Sequence, residues 1–148
     1  MRIRFFNARI LTMETNRPII QGEVWVEQEK IVYVGEKNKE QPTLCWDEEI
    51  DCDGNLLMPG FKNAHTHSGM TLLRSYDDLP LQAWLNERVF PIEAKISSED
   101  IYHLTKLAVL EYLTSGITSI FDMYLTPESI ARACSEMGMR CVLTGAVN

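Results

Sequence analysis

His65 and His67, two histidines two residues apart, are the side chains whose type and spacing most directly permit chemistry. On an extended segment, side chains at i and i+2 project to the same side, so both imidazoles can reach one metal ion while Thr66 points away. Neutral imidazole is a borderline ligand suited to zinc, iron or nickel. As a bare tripeptide, His65-Thr66-His67 fits two ordinary polar histidines equally well. Two imidazoles do not complete a catalytic zinc site, which takes about three protein ligands plus water. His103, the remaining histidine, falls inside a helical stretch near Lys106 and reads as a surface residue. Asp122 ends a strand and reads either as facing a site or as a buried aspartate bonding backbone amides.

The elements that must position these residues divide at about residue 57. Before it, Arg4 to Met13 is rich in Phe and Ile, and Gly22 to Glu27 alternates apolar and polar as a half-buried strand does. Gln28-Glu29-Lys30 reads as a hairpin turn into a strand over Ile31 to Gly35, and the polar Glu36 to Thr43 as a loop. Residues 1–57 thus predict a small antiparallel sheet, the portion of a β-sandwich. After it, Leu56 to Phe61 is a short, nearly all-apolar run, as expected of a strand covered on both faces, and it places His65 and His67 at its C-terminal end.

Leu81 to Val89 predicts a short helix. Ser97-Ser98-Glu99-Asp100 predicts a capped helix start, Ile101, Leu104, Ala108 and Tyr112 one helical face, and Gly116 its stop. Ile117 to Tyr124 reads as a strand. Thr126 before Pro127 reads as a cap opening a helix that ends near Gly138, and Arg140 to Val147 as the next strand. Strand–helix alternation implies βαβ units and a parallel sheet over 58–148. In an α/β barrel, the C-terminal ends of the strands are where active sites form.

Bulk properties narrow the classes. A complete barrel needs roughly 250 residues, and this sequence has 148. A net charge of −7 and a pI near 4.9 argue against nucleic acid or an anionic membrane as partner, because both select a basic footprint. No run of about 18 apolar residues is present, and Asn7 and Arg9 interrupt any apolar signal segment, so a cytoplasmic location is expected. Cys45, Cys52, Cys134 and Cys141 form no Cys-x-x-Cys pair and read as reduced, mostly buried small hydrophobes.

Asp53-Gly54-Asn55-Leu56-Leu57-Met58-Pro59-Gly60-Phe61-Lys62-Asn63-Ala64-His65-Thr66-His67 resembles the first-strand signature of the metal-dependent amidohydrolase superfamily. Asn7 to Met13 and Ile31 to Gly35 look like the small β-sandwich domain preceding the barrel in those enzymes. Met70 to Arg74, Asp77-Asp78, Trp84-Leu85, Pro91-Ile92-Glu93, Ile120 to Tyr124 and Met137 to Arg140 are similar to the subgroup that deaminates S-adenosylhomocysteine and 5′-methylthioadenosine. The resemblance covers essentially the whole chain.

It implies a small N-terminal β-sandwich portion followed by the first strands and helices of an incomplete (β/α)8 TIM barrel. It makes His65 and His67 two ligands of a divalent metal, zinc before iron or nickel. Glu93 would take the ribose hydroxyls of a nucleoside and Trp84 would line the same pocket. The other metal ligands, a glutamate proton shuttle and a water-activating aspartate would lie beyond Asn148. No catalytic residue is therefore assigned within the chain, and metal retention by two ligands alone is expected to be poor. A guanine deaminase or a triazine-type chlorohydrolase shares the first-strand motif. A truncated, non-catalytic chain that only binds or associates, with a second copy or with the rest of an enzyme, is the alternative from another class.

Overall fold

The computed structural model describes residues 1–37, 45–76 and 78–145. Most of the predicted Glu36–Thr43 loop, Asp77 and the end of the last predicted strand at Val147 lie outside the described residues. The chain forms two compact units, Met1–Pro59 and Gly60–Asn148.

The first unit is one five-stranded sheet: β1 (Arg2–Ile10), β2 (Ile20–Glu27), β3 (Lys30–Gly35), β4 (Glu48–Asp51) and β5 (Leu56–Leu57). β1, β2 and β3 pair antiparallel, as their alternation predicts. β4 and β5 instead run parallel to β1 on its other edge, so the sheet is mixed rather than antiparallel. Parallel pairing needs a connection of a dozen or more residues, and the chain between β3 and β4 is long enough to supply one. One face of the sheet buries Ala8, Ile10 and Val24, with Phe5, Ile20, Val26, Val34 and Leu57 packed around them. On β2, Glu23 is 2% exposed, paired with Arg4 at 2.5 Å and bonded by the Trp25 indole N–H at 3.0 Å. Burial alone would raise the Glu23 carboxyl. The Arg4 and Trp25 hydrogen bonds outweigh that and hold it below the ordinary glutamate range.

The second unit alternates strand and helix around a three-stranded parallel sheet, order β6-β7-β8, with β6 at Phe61–Thr66, β7 at Ile117–Tyr124 and β8 at Arg140–Gly145. The apolar run predicted as one strand over 56–61 is therefore two pieces. Leu56–Leu57 adds β5 to the first sheet, and Pro59-Gly60 interrupts before β6 begins. Proline has no N–H for a ladder, so the run breaks there, and His65 sits within β6 rather than after it.

α3 (Ser98–Thr114) starts at the predicted box. The Ser97 hydroxyl accepts from the Asp100 N–H at 3.2 Å, and the Asp100 carboxylate accepts from the Ser97 N–H at 2.9 Å. Its buried stripe is Ile101, Tyr102, Thr105, Ala108 and Val109. Gly116 and Gly138 follow α3 and α4 (Pro127–Met137) with φ of 78° and 71°, left-handed values that let a helix close its last turn. Thr126 does not cap α4 as predicted. It is itself left-handed at φ 46° and its side chain makes no capping bond.

The predicted helix over 81–89 continues to Glu93, as α1 (Leu81–Trp84), a wide π turn (Leu85–Val89) and α2 (Phe90–Glu93). Pro91 explains the widening. It cannot donate to the carbonyl four residues back, and its ring would collide with it; Phe90 N–H bonds Leu85 O instead, five residues back.

Ile101, Val109, Ile120, Tyr124, Ile130, Cys134 and Met139 form the core between one sheet face and the helices. On the other face, Phe61, Phe121, Met123 and Val142 are exposed. Among the described residues no helix is long and apolar enough to cross a membrane.

Candidate functional site

The period of two along β6 sorts the residues around the histidines. His65 and, just past the strand, His67 come together, while Thr66 and Ser68 both reach the Asp122 carboxylate of β7. The two imidazoles face each other, with Nε2 atoms 3.1 Å apart and rings nearly perpendicular at 89°. Two nitrogens about 2.0–2.1 Å from one tetrahedral metal would be separated by roughly 3.3 Å, so the pair fits two positions of such a ligand set. His65 is exposed and its backbone N–H bonds the Asn63 side-chain oxygen at 3.2 Å.

The His67 ring is held from behind. Its Nδ1 lies 2.6 Å from the Met123 carbonyl oxygen. A carbonyl only accepts, so Nδ1 carries a proton and donates it there, while Nε2 faces His65. Among the described residues no group of three His, Cys, Asp or Glu side chains gathers here or elsewhere. His65 and His67 could therefore hold a metal as part of a ligand set, not as all of one.

Asp122 stands opposite Thr66 in the β6–β7 register and is completely buried. Its Oδ2 accepts from the Thr66 hydroxyl at 2.6 Å, from the Ser68 N–H at 2.9 Å and from the Ser68 hydroxyl. The two readings left open by sequence resolve toward burial, with one backbone amide and two hydroxyls as donors. Its Oδ1 meets no donor among the described residues. The Ser68 hydroxyl is also 3.1 Å from the Tyr112 hydroxyl. Sequence reasoning singled out Asp122 but not its partner Ser68 or the Tyr112 hydroxyl beyond, although Ile120, Asp122 and Tyr124 alternate on the side of β7 that faces the core.

Trp84 and Glu93 sit on either side of the π turn, Trp84 directly before it and Glu93 at the end of α2. Glu93 borders a cleft of about 470 Å³ with Phe90, Ala94 and Leu125. The adjacent Tyr124 hydroxyl is buried with no hydrogen-bond partner among the described residues. Burial first, then the nearby Glu93 carboxylate, pushes that phenol above the ordinary tyrosine range. The C-terminal end of β7 thus brings Tyr124 near Glu93, while the Met123 carbonyl reaches His67. Trp84 is half-buried, its indole N–H also unpartnered among the described residues; no hydrogen bond joins it to the histidines or to Glu93. His103 is exposed, with Nε2 3.4 Å from Glu99, as a surface residue should be.

Comparison with known proteins converges on one family. The model of the amidohydrolase family matches residues 56–147. A 5-methylthioadenosine/S-adenosylhomocysteine deaminase of Desulforamulus reducens is 46% identical over 145 residues, covering 97% of this chain and 34% of that protein. The chain thus spans about a third of the length of this relative. A zinc-bound adenosine deaminase from Xanthomonas campestris superposes with a TM-score of 0.87 at 30% identity, over 95% of this chain and 33% of the other. A triazine hydrolase variant shares the fold, with a TM-score of 0.84 at 18% identity, over 97% of this chain and 35% of the other. The architecture is therefore a small β piece followed by the opening βα units of an amidohydrolase TIM barrel. With a histidine pair at the end of its first barrel strand and a family match across all three parallel strands, this chain belongs to the amidohydrolase family.

Proposed function

We propose that this chain is the N-terminal part of a metal-dependent enzyme that deaminates adenosine-type nucleosides, S-adenosylhomocysteine and 5′-methylthioadenosine among them, by hydrolysis. In this reading residues 1–57 are the β-sandwich portion and 58–148 the first βα units of the barrel. The observation that carries it is the convergence of the His65 and His67 Nε2 atoms, 3.1 Å apart at the C-terminal end of β6.

His65 and His67 would hold a divalent metal, zinc in first place, together with ligands from outside this chain. A bound metal of this kind lowers the pKa of water and makes it a nucleophile near neutral pH. The Met123 carbonyl keeps the His67 proton on Nδ1, so that Nε2 stays available. Glu93 would accept two hydrogen bonds from the ribose hydroxyls and so fix the nucleoside beside the histidines. Trp84 would line the same pocket as an apolar wall.

Glu93 favours a nucleoside over the alternatives, because guanine and a triazine offer no vicinal diol. The 46% identity to a nucleoside deaminase against 18% to a triazine hydrolase variant supports the same choice. The exposed Phe61, Phe121, Met123 and Val142 support a further reading, that this face is covered by a second copy or by more of the enzyme. A reducing cytoplasmic setting fits the cysteine pattern.

The test is ammonia release by the full-length enzyme from S-adenosylhomocysteine, 5′-methylthioadenosine and guanine, beside chloride release from a chlorotriazine. Turnover of the nucleosides alone, abolished by His65→Ala, is expected; preference for guanine or the triazine would overturn the substrate assignment.

A further inference from the structure

We infer that Asp122 is a positioning residue that sets the direction and tautomer of the His67 ring through its hold on Thr66 and Ser68. The inference rests on the reading of His65 and His67 as a ligand pair only for its effect on metal. The hold on the ring itself stands on geometry alone.

Every donor that Asp122 receives comes from a residue adjoining His67. Thr66 Oγ1 donates at 2.6 Å, and Ser68 donates through its N–H at 2.9 Å and through its hydroxyl, all to Oδ2. The flanking strand residues complete the grip. Thr66 Oγ1 also lies 3.2 Å from the Phe121 carbonyl, and His67 Nδ1 lies 2.6 Å from the Met123 carbonyl. Three consecutive residues of β7 therefore engage three consecutive residues around the histidine.

Chemistry explains why the middle position is a carboxylate. It accepts and never donates, so one oxygen can take several N–H and O–H donors with charge-assisted strength. A buried carboxyl oxygen is costly unless it is bonded, and Oδ2 takes three donors, all from residues 66 and 68, while Oδ1 has none among the described residues. With both neighbours of His67 fixed, its backbone cannot turn, and the ring reaches the Met123 carbonyl in one orientation. Loosen 66 and 68, and Nδ1 loses its acceptor, so the proton is free to sit on either nitrogen. A role confined to pinning β6 against β7 would alter stability without changing the tautomer.

The experiment uses the 148-residue chain labelled with 15N-histidine, with the His67 tautomer read from two-bond 15N–1H spectra and zinc affinity from chelator competition. The wild type should show His67 in the single Nδ1–H form. Asp122→Asn should fold, mix the two tautomers and weaken zinc binding by about tenfold or more. Ser68→Ala should do the same to a smaller degree. Val24→Ala, a core change in the sheet of the first unit, should leave tautomer and affinity unmoved. If Asp122→Asn fails to fold, Ser68→Ala and Thr66→Val carry the test. A single unchanged tautomer in every folded variant overturns the inference. A His67 tautomer that responds to these variants, in a chain whose weak zinc binding is unaffected by His65→Ala and His67→Ala, supports the positioning role and overturns the metal reading instead.

Discussion

The Nδ1 of His67 lies 2.6 Å from the carbonyl oxygen of Met123, a residue 56 positions later in the chain. That bond places the ring proton on the side away from His65. It also makes the tautomer independent of any bound metal, because the acceptor is backbone.

Metal binding by this chain alone should be weak, since two imidazoles leave incomplete a site that takes about three protein ligands plus water. Dialysis against zinc followed by metal analysis should leave well under one equivalent, and His65→Ala or His67→Ala should remove most of what remains. Stoichiometric zinc retained by the wild type would contradict this.

Acid should weaken the first unit through Glu23. Its folded carboxyl lies below the ordinary glutamate value because Arg4 and Trp25 bond the charged form. The contribution is therefore fully present above the unfolded value of about 4.3 and is lost as pH falls through the lower folded value. Glu23→Gln should cost about 1–2 kcal/mol at neutral pH, since a neutral amide replaces the carboxylate while Arg4 keeps its pairing with Glu49 at 2.8 Å, and should flatten the acid limb of a urea-denaturation series. An acid limb unchanged in the variant would assign that pH dependence to other carboxylates.

The start of α3 should be sensitive to one hydroxyl. Ser97→Ala removes the acceptor for the Asp100 N–H and should destabilise the second unit by about 1 kcal/mol. Ser97→Thr should restore most of it in the same chemical denaturation assay.

Pro91→Ala offers a test of what widens the helix ahead of Glu93. Alanine brings back an N–H for the Glu87 carbonyl and removes the ring clash, so the π turn at Leu85–Val89 should relax toward a regular helix. The change rotates Glu93 relative to Trp84. In the full-length enzyme it should raise KM for nucleosides more than it lowers kcat, if both residues line one pocket. A crystal structure of the variant with the π turn intact would assign the widening to another cause.

The strand–helix order of the second unit was legible because its signals are local: a capping box at Ser97, left-handed glycines after α3 and α4, and alternation along Ile117–Tyr124. The His-x-His pair was legible for the same reason, since period two decides its facing. The parallel edges β4 and β5 were not, because the side of β1 they join is chosen by tertiary pairing. The break at Pro59-Gly60 was hidden inside an apolar run that read as continuous. Asp122 stayed ambiguous because its partners, Thr66 and Ser68, lie more than fifty residues away in sequence.

That separation has a kinetic meaning. His65 and His67 are neighbours along the chain, yet the aim of His67 is set by β7, which arrives only after a 3-10 turn at Ser68–Leu73, the widened helix and α3 have been made. Contacts of such sequence separation come late, since the loop between them must close before they form. A short peptide carrying His65-Thr66-His67 should therefore show both tautomers at each ring. During synthesis the histidine pair should remain unorganised until the chain has passed Tyr124, and the geometry of the pair is a product of folding rather than a template for it.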